Sequence, residues 1–433
     1  MKVLISSSNR ANIMIYTVLI IGILSIMTTA YLSLCSYQYS SGYRSLAWNN
    51  CLPMAEAGIQ EALAHINAQV GLSSTNLGEL NVDGWTLQNN AYVKTRTIGT
   101  DYCEMAITNA MPPIIYSTGY VQAPKGTNYL SRAIRVKTIG APLFAKPITA
   151  KELIDFNGKN VRTDSFDSSV QSGSTAGQYD LAKASDNGHI GTNSRDVGAI
   201  NVGNASIYGR VSTGPQGTVV VGPNGSVGSM GWHSSGNNGV EPEYFDDNTM
   251  VWFPDIDVPS ASFFTPTGGN IDGINYAYVL EGGYYQLGSL VTTDSVLIRS
   301  PSVLYVNGAI KLSGNMNLIL ETGASLILFA GGPAQFSGKA VTNPSGKAIN
   351  FIYFGLPSNT SLTMSGNASF TGLIYAPNAD VSLGGGGADA YDFSGVLTAN
   401  SLTMNGHFNF HYDEAIQLED YFIGYIVTSW REL

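Results

Sequence analysis

Charge is what this chain has least of. Only 12 % of its 433 residues are Asp, Glu, Lys or Arg, about half the share of ordinary globular proteins. The shortage does not signal disorder, which needs high charge and few hydrophobics; here 44 % of residues are hydrophobic and 24 are Tyr. What charge there is sums to −10, which argues against a nucleic-acid partner and against docking on anionic lipid by charge alone. Cysteine is also scarce. Cys35, Cys51 and Cys103 are too few for a disulfide scaffold, and a Cys51–Cys103 pair has no supporting pattern.

Motifs that carry chemistry are missing too. The glycine run at 384–387 lacks the Lys-Ser/Thr and helix of a phosphate-binding loop. No calcium-loop spacing occurs, and the five histidines form no metal pattern. No pair of carboxylates stands out as catalytic. Asp380 and Asp392 read as turn formers, and Asp413 reads as the cap of a helix starting near Glu414. No catalytic residue, cofactor or metal is assigned.

Against these absences stands one long apolar run. Residues 13–35, IMIYTVLIIGILSIMTTAYLSLC, contain no charged side chain, and a helix of that length crosses the roughly 30 Å hydrocarbon core of a bilayer. A cleaved signal peptide would have a shorter core, and Leu34 is too large for a lipoprotein signal ending at Cys35. A retained anchor is expected. Lys2 and Arg10 precede it and no Lys or Arg follows until Arg44. That asymmetry places the N-terminus in the cytoplasm and the bulk of the chain outside, as a single-pass cell-membrane protein. From 44 to 67 the pattern becomes one-sided, with Leu46, Ala47, Cys51, Ala55, Ile59, Ala62, Leu63 and Ile66 mostly three or four apart. Pro53 should kink this helix or begin a new segment.

The text RSLAWNNCLPMAEAGIQEALAHIN at 44–67 resembles the N-terminal helix of PilX-like minor pilins and related pilus-assembly proteins. There a membrane helix is followed by a segment of the kind A-F-x-x-A-E-A-G-x-E-x-A-L. The match runs through Ala47, Trp48, Met54, Ala55, Glu56, Ala57, Gly58, Glu61, Ala62 and Leu63. The resemblance implies a long pilin-type helix whose apolar half, with Ile13, Ile20 and Leu24, sits in the membrane or packs in a filament core. Ala47, Ala55, Glu56, Gly58 and Glu61 would be its assembly segment. The chain departs from the family at Ala11-Asn12-Ile13-Met14-Ile15, which lacks the fifth-position Glu of the prepilin processing signature. A plain anchor with a short stalk remains the alternative.

Beyond residue 71 the period falls to two. Runs at 92–97 and 102–107 around Gly99-Thr100, and at 114–121 and 131–136, predict two antiparallel pairs that cover the lower helix. From 153 onward short β runs recur without helices between them, at 199–211, 218–222, 295–298, 302–306, 309–312, 317–320, 325–328, 349–353, 361–364, 369–375 and 380–383. That spacing fits a sandwich or a stacked β-solenoid. The solenoid is favoured by Ser-Gly-Asn corners at 313–315 and 365–367, and by the near repeat of Leu362-Thr363-Met364 in Leu402-Thr403-Met404. The block 361–415 resembles a C-terminal β-solenoid region of PilX-like bacterial surface proteins, which implies architecture and surface location.

The expected fold is therefore mainly β: a long N-terminal transmembrane, pilin-like helix, a small α+β region, then a right-handed parallel β-helix. Its expected divisions are a cytoplasmic tip at 1–10, the helix at 11–67, the small β region at 68–150, the solenoid at 151–412 with a loop insertion at about 228–284, and a C-terminal cap at 413–433. The insertion holds the one candidate ligand site. Glu241, Glu243, Asp246, Asp247, Asp255 and Asp257 interleave with Tyr244 and Trp252, a mixture suited to Ca²⁺ or to a sugar. The plainer account is a solvated loop whose aromatics cap the solenoid. Two functions follow. The first is a non-enzymatic, membrane-anchored, surface-exposed pilin-like structural or adhesion protein, including a type IV pilus minor component partnered by other pilins. The second is a membrane-tethered carbohydrate-binding or carbohydrate-active β-helix protein partnered by a surface polysaccharide.

Overall fold

The structure is a computed structural model that describes residues 10–68, 80–81, 83–123, 127–144, 146–158, 161–313, 316–337, 341–365, 369–384, 391–405, 408–418 and 422–433. Most of the corners at 313–315 and 365–367, of the glycine run at 384–387 and of the 1–10 tip lies outside these residues. The fold is mainly β, with one long apolar helix at its N-terminus. It divides into two compact units, Met1–Ala141 with Phe422–Leu433, and Pro142–Tyr421.

The first unit is built on helix α1, Arg10–Ala68. Of the two outcomes expected at Pro53, a new segment does not begin there; the helix continues through that residue. Its buried stripe is Ala47, Cys51, Ala55, Ile59, Ala62 and Ile66, the three-to-four spacing of one helix face, whereas Leu46 is exposed. The stripe packs on an antiparallel sheet of β1 (Thr86–Gln88), β2 (Ala91–Ile98), β3 (Asp101–Thr108), β4 (Ile114–Gln122) and β5 (Tyr129–Pro142). The β2–β3 hairpin turns at Gly99-Thr100, where Gly99 takes φ 66°, and its register closes at Ile98 opposite Asp101. Cys103, Met105, Ile107, Ile115, Ile134 and Val136 join Ala55, Ile59, Ala62, Ile66 and Trp85 in one core, and Ala47 and Cys51 pack with Val121 in a second cluster. Cys35, Cys51 and Cys103 are free thiols.

The last strand corrects an expectation. Phe422–Glu432 does not cap the second unit; it is the sixth strand of the first unit's sheet, beside β5. Leu433 N–H donates to Ala133 O, Arg132 grips Glu432 with both nitrogens at 2.5 and 2.7 Å, and the Asn67 amide at the end of α1 exchanges two hydrogen bonds with the Tyr425 backbone. Only the 3₁₀ turn Glu414–Leu418 remains near the expected cap. Asp413 accepts from Ala415 N at 3.2 Å, as expected of its N-cap.

The second unit is dominated by parallel ladders. Ser302–Val306 pairs with Leu326–Ala330, that strand with Phe351–Gly355, and that with Phe370–Gly384. A neighbouring ladder stacks Leu290, Ile310, Ala334, Leu362, Val381, Leu402, Ile154 and Ile200 in one buried column. The near repeat Leu362/Leu402 thus marks the same column, one layer of chain apart on either side of Val381.

Stack order departs from chain order at one place. Tyr391–Asn405 pairs with Ile148–Ala150 and Ile154–Phe156, and Phe408–Asp413 pairs with Arg162–Phe166. The layers from 267 to 413 and the layers from 148 to 246 therefore meet at a joint, and the chain enters and leaves this unit beside that joint. Residues 247–266 connect the far ends of the two runs.

Candidate functional sites in the helix and in the 241–257 segment

The upper half of α1 is apolar on every side. Ile13, Ile20 and Leu24 are more than half exposed, as are Leu32, Leu34 and most large side chains between them. An 18-residue window reaches a mean hydropathy of 2.2, and the helix is long and apolar enough to cross a membrane. Its threonine hydroxyls are already satisfied: Thr17, Thr28 and Thr29 donate to carbonyls one turn back at 2.7–2.8 Å. In hydrocarbon that removes the cost of bare polar groups.

The lower half is fixed by close approach. A Cβ on Gly58 would meet Ser117 Oγ, Met105 Cγ at 2.9 Å and Cys103 Sγ at 3.2 Å. A Cβ on Gly119 of β4 would meet Cys51 O, Ala55 N at 2.6 Å and Met54 Cβ at 2.9 Å. Two glycines, one on each side, set the helix-to-sheet distance. Glu61 adds an ion pair to Lys94 on β2 at 2.8 Å. Ala47 and Ala55 are buried in the same face, and Glu56 is half-buried beside it. Of the assembly residues expected from the sequence, the lower ones thus serve the helix–sheet core and the upper ones stay exposed.

The acidic and aromatic residues at 241–257 do not converge. Glu241 accepts from Ser229 N at 2.6 Å. Glu243 is exposed at φ 72°, and its carbonyl accepts from Arg210, whose guanidinium lies over Tyr244 at 5.1 Å. Asp246 sits in the short strand Phe245–Asp246. Its charge favours the Lys146 ammonium, although burial still pulls the Lys146 pKa below its ordinary value. Lys146 Nζ donates to Ser212 Oγ at 2.8 Å and Thr249 Oγ1 at 3.2 Å. Asp247 accepts from Gln216 N, Asp255 from Asn378, and Trp252 and Asp257 are exposed. Among the described residues no group of three or more His, Cys, Asp or Glu could hold a metal ion.

What these residues make is a strap. Asn193 exchanges two hydrogen bonds with the Val251 backbone, Lys151 lies over Phe253 at 6.0 Å, and Tyr375 donates to Pro254 O at 2.8 Å. Ile256 is buried, Phe263 meets Tyr284 and Tyr305 at 5.8 and 6.2 Å, and Phe264 exchanges backbone bonds with Tyr284 and Gln286. The strap crosses the joint and shields an outward row, Tyr305, Phe329, Phe354 and Tyr375, stacked by the ladders.

Sequence reasoning missed one cluster. Buried Asp164 accepts from Arg162 Nε and His411 Nδ1, both at 2.5 Å, and from the Tyr179 hydroxyl at 2.8 Å. His411 Nε2 faces Asp392 Oδ1 at 3.2 Å, and the Tyr179 ring stacks on the imidazole at 3.5 Å. Burial disfavours the His411 charge, but bonds to both carboxylates outweigh it and hold its pKa above the ordinary value. Burial likewise opposes the Asp392 charge, and His411 more than compensates, leaving the carboxyl below its usual range. These groups are far apart in the chain and share no motif, so no local signal could have found them.

Residues 267–419 match a family model described as a domain of unknown function, DUF7305. The match covers the run of layers that ends at the joint. No curated protein matches the chain. Among solved structures, the competence-associated pilin ComZ from Thermus thermophilus aligns over 88 % of this chain and 96 % of its own, at 10 % identity and a TM-score of 0.26. A likeness that distant carries no argument about fold or function.

Proposed function

We propose that this chain is a non-enzymatic, membrane-anchored protein of the PilX-like minor-pilin kind, displaying a right-handed parallel β-helix outside the cell for adhesion or for pilus assembly. The observation that carries it is α1 itself. One unbroken helix is apolar from Ile13 to Cys35, largely uncovered above Ala47 and docked on a sheet below it. A filament or membrane helix needs that division, and the Ala47–Leu63 text supplies the family resemblance. The β-helix reading is supported by strands that pair in parallel with their counterparts in the next layer around buried columns. The non-enzymatic reading is supported by the scatter of the 241–257 carboxylates along a strap. Orientation rests on Lys2 and Arg10 preceding the span.

The test is N-terminal sequencing of the mature protein, with fractionation into membrane and sheared-filament pools. The reading expects the protein in the membrane pool, and in the filament pool if it assembles. An intact Met1 found only in membranes would remove the pilus role and leave the anchor. Release of the whole chain into the soluble fraction would remove both.

A further inference from the structure

The Asp164–His411–Asp392 cluster lies at the joint between the two runs of layers. His411 on Phe408–Asp413 is the direct register partner of Asp164 on Arg162–Phe166. Both its ring nitrogens face carboxylate oxygens, Nδ1 toward Asp164 and Nε2 toward Asp392. A neutral imidazole has one donor and one acceptor, so it satisfies only one of these contacts; an imidazolium satisfies both. The charges also balance in that state. Asp164 and Asp392 are matched by Arg162 and a protonated His411, and the cluster is close to neutral. Losing the proton would leave a net negative charge in a place where Asp164 is 0 % and His411 is 1 % exposed.

We propose that the joint is proton-dependent: His411 holds it closed as an imidazolium bridging two carboxylates, and deprotonation loosens both the joint and the 167–187 segment folded over it. That segment is tied to the same place. Tyr179 stacks on His411 and donates to Asp164, Ser168 bonds Asp413 twice, and Asn187 bonds Ser165 and Glu414. The titratable and charged groups facing His411 are Asp164 and Arg162 from one strand, Asp392 from Tyr391–Asn405, and Tyr179 from the covering segment. Tyr208 lies behind Arg162 at 4.0 Å. Asp413 and Glu414, on the continuation of its own strand, are turned to Ser168 and to Ser165 and Asn187 instead.

The sign follows from linkage. A histidine whose folded pKa exceeds its unfolded value of 6.5 contributes stability fully below that value and loses it as the pH rises through the raised one. His189 and His233 act in the opposite window. Burial holds both below their ordinary value, so their contribution is present above pH 6.5 and lost as the pH falls. Stability should therefore peak near neutrality, with only the alkaline limb belonging to His411.

Hydrogen exchange of the full chain in detergent tests this. Amides at 162–166 and 408–413 should open about tenfold more often for each pH unit by which the raised pKa exceeds 6.5, after correction for the intrinsic pH dependence of exchange. In His411→Gln that excess should vanish while the acidic limb stays. If His411→Gln does not fold, selective ¹⁵N labelling of the histidine rings in the native chain decides. One ring should keep protons on both nitrogens to a higher pH than an ordinary imidazole does, and Asp392→Asn should move its titration to lower pH. Identical exchange profiles in native and variant protein, or no ring that keeps its second proton above pH 6.5, would overturn the proposal. So would an unmoved titration in Asp392→Asn.

Discussion

Replacing Gly119 by alanine adds a single methyl group and should undo the docking of α1. The ideal Cβ falls against Cys51 O, Ala55 N at 2.6 Å and Met54 Cβ at 2.9 Å. Two of these atoms are helix backbone, which cannot turn aside as a side chain does. Relief requires the helix and β4 to separate, and that opens contacts of Ala55, Ile59 and Ala62 across the whole core. Overpacking of a core costs typically about 1–3 kcal/mol, and backbone against backbone belongs in the upper half of that range. For the packed part of this unit, the roughly hundred residues from Ala47 onward, at about 4–8 °C per kcal/mol, the melting temperature should fall by about 10–20 °C. Trp85, 2 % exposed and donating to His65 Nδ1 at 2.8 Å, is the natural fluorescence reporter. Gly42→Ala is the control, because Gly42 lies in the same helix with nothing within 4 Å. That change should leave the melt unchanged or raise it by up to about 1 kcal/mol of helix propensity. If Gly119→Ala melts within a degree or two of the native chain, the glycines do not set the helix-to-sheet distance.

Other expectations are simpler. Tyr375→Phe removes the bond to Pro254 O, worth about 1 kcal/mol, so limited proteolysis within 250–264 should speed up roughly fivefold if cleavage tracks local opening; an unchanged rate would mean that the strap is held elsewhere. Ile20→Arg with Leu24→Arg places two cations in the apolar span at about 5–7 kcal/mol together; the membrane-bound share should drop sharply, and full retention would refute the anchor. Gly58→Ala meets mainly side chains, of which Ser117 Oγ can rotate away, so it should cost less than Gly119→Ala in the same melt.

Much of the fold was legible because it is periodic. The helix face at Ala47, Cys51, Ala55, Ile59, Ala62 and Ile66 follows from three-to-four spacing, and the β2–β3 hairpin from alternation around Gly99. Layer order was not legible. Leu402, Ile154 and Ile200 are interchangeable as inward apolar residues, so nothing local says that residue 154 stacks on 402. The 241–257 carboxylates lie apart for a related reason. Neighbours in the chain sit on a short strand and a strap, each with its own donors, while the groups that do converge come from residues 162, 164, 179, 392 and 411. No new segment begins at Pro53 because a packed helix tolerates the loss of one donor that an isolated helix would not.

The joint also sets a timetable for synthesis. Strands 148–166 are made early, but their partners at 391–413 emerge some 240 residues later, on the order of ten to fifty seconds at ~5–20 residues per second. The sheet under α1 waits longer still, since its sixth strand, Phe422–Glu432, follows the strands that close the joint. During that interval a long apolar helix and open β edges coexist on an unfinished chain.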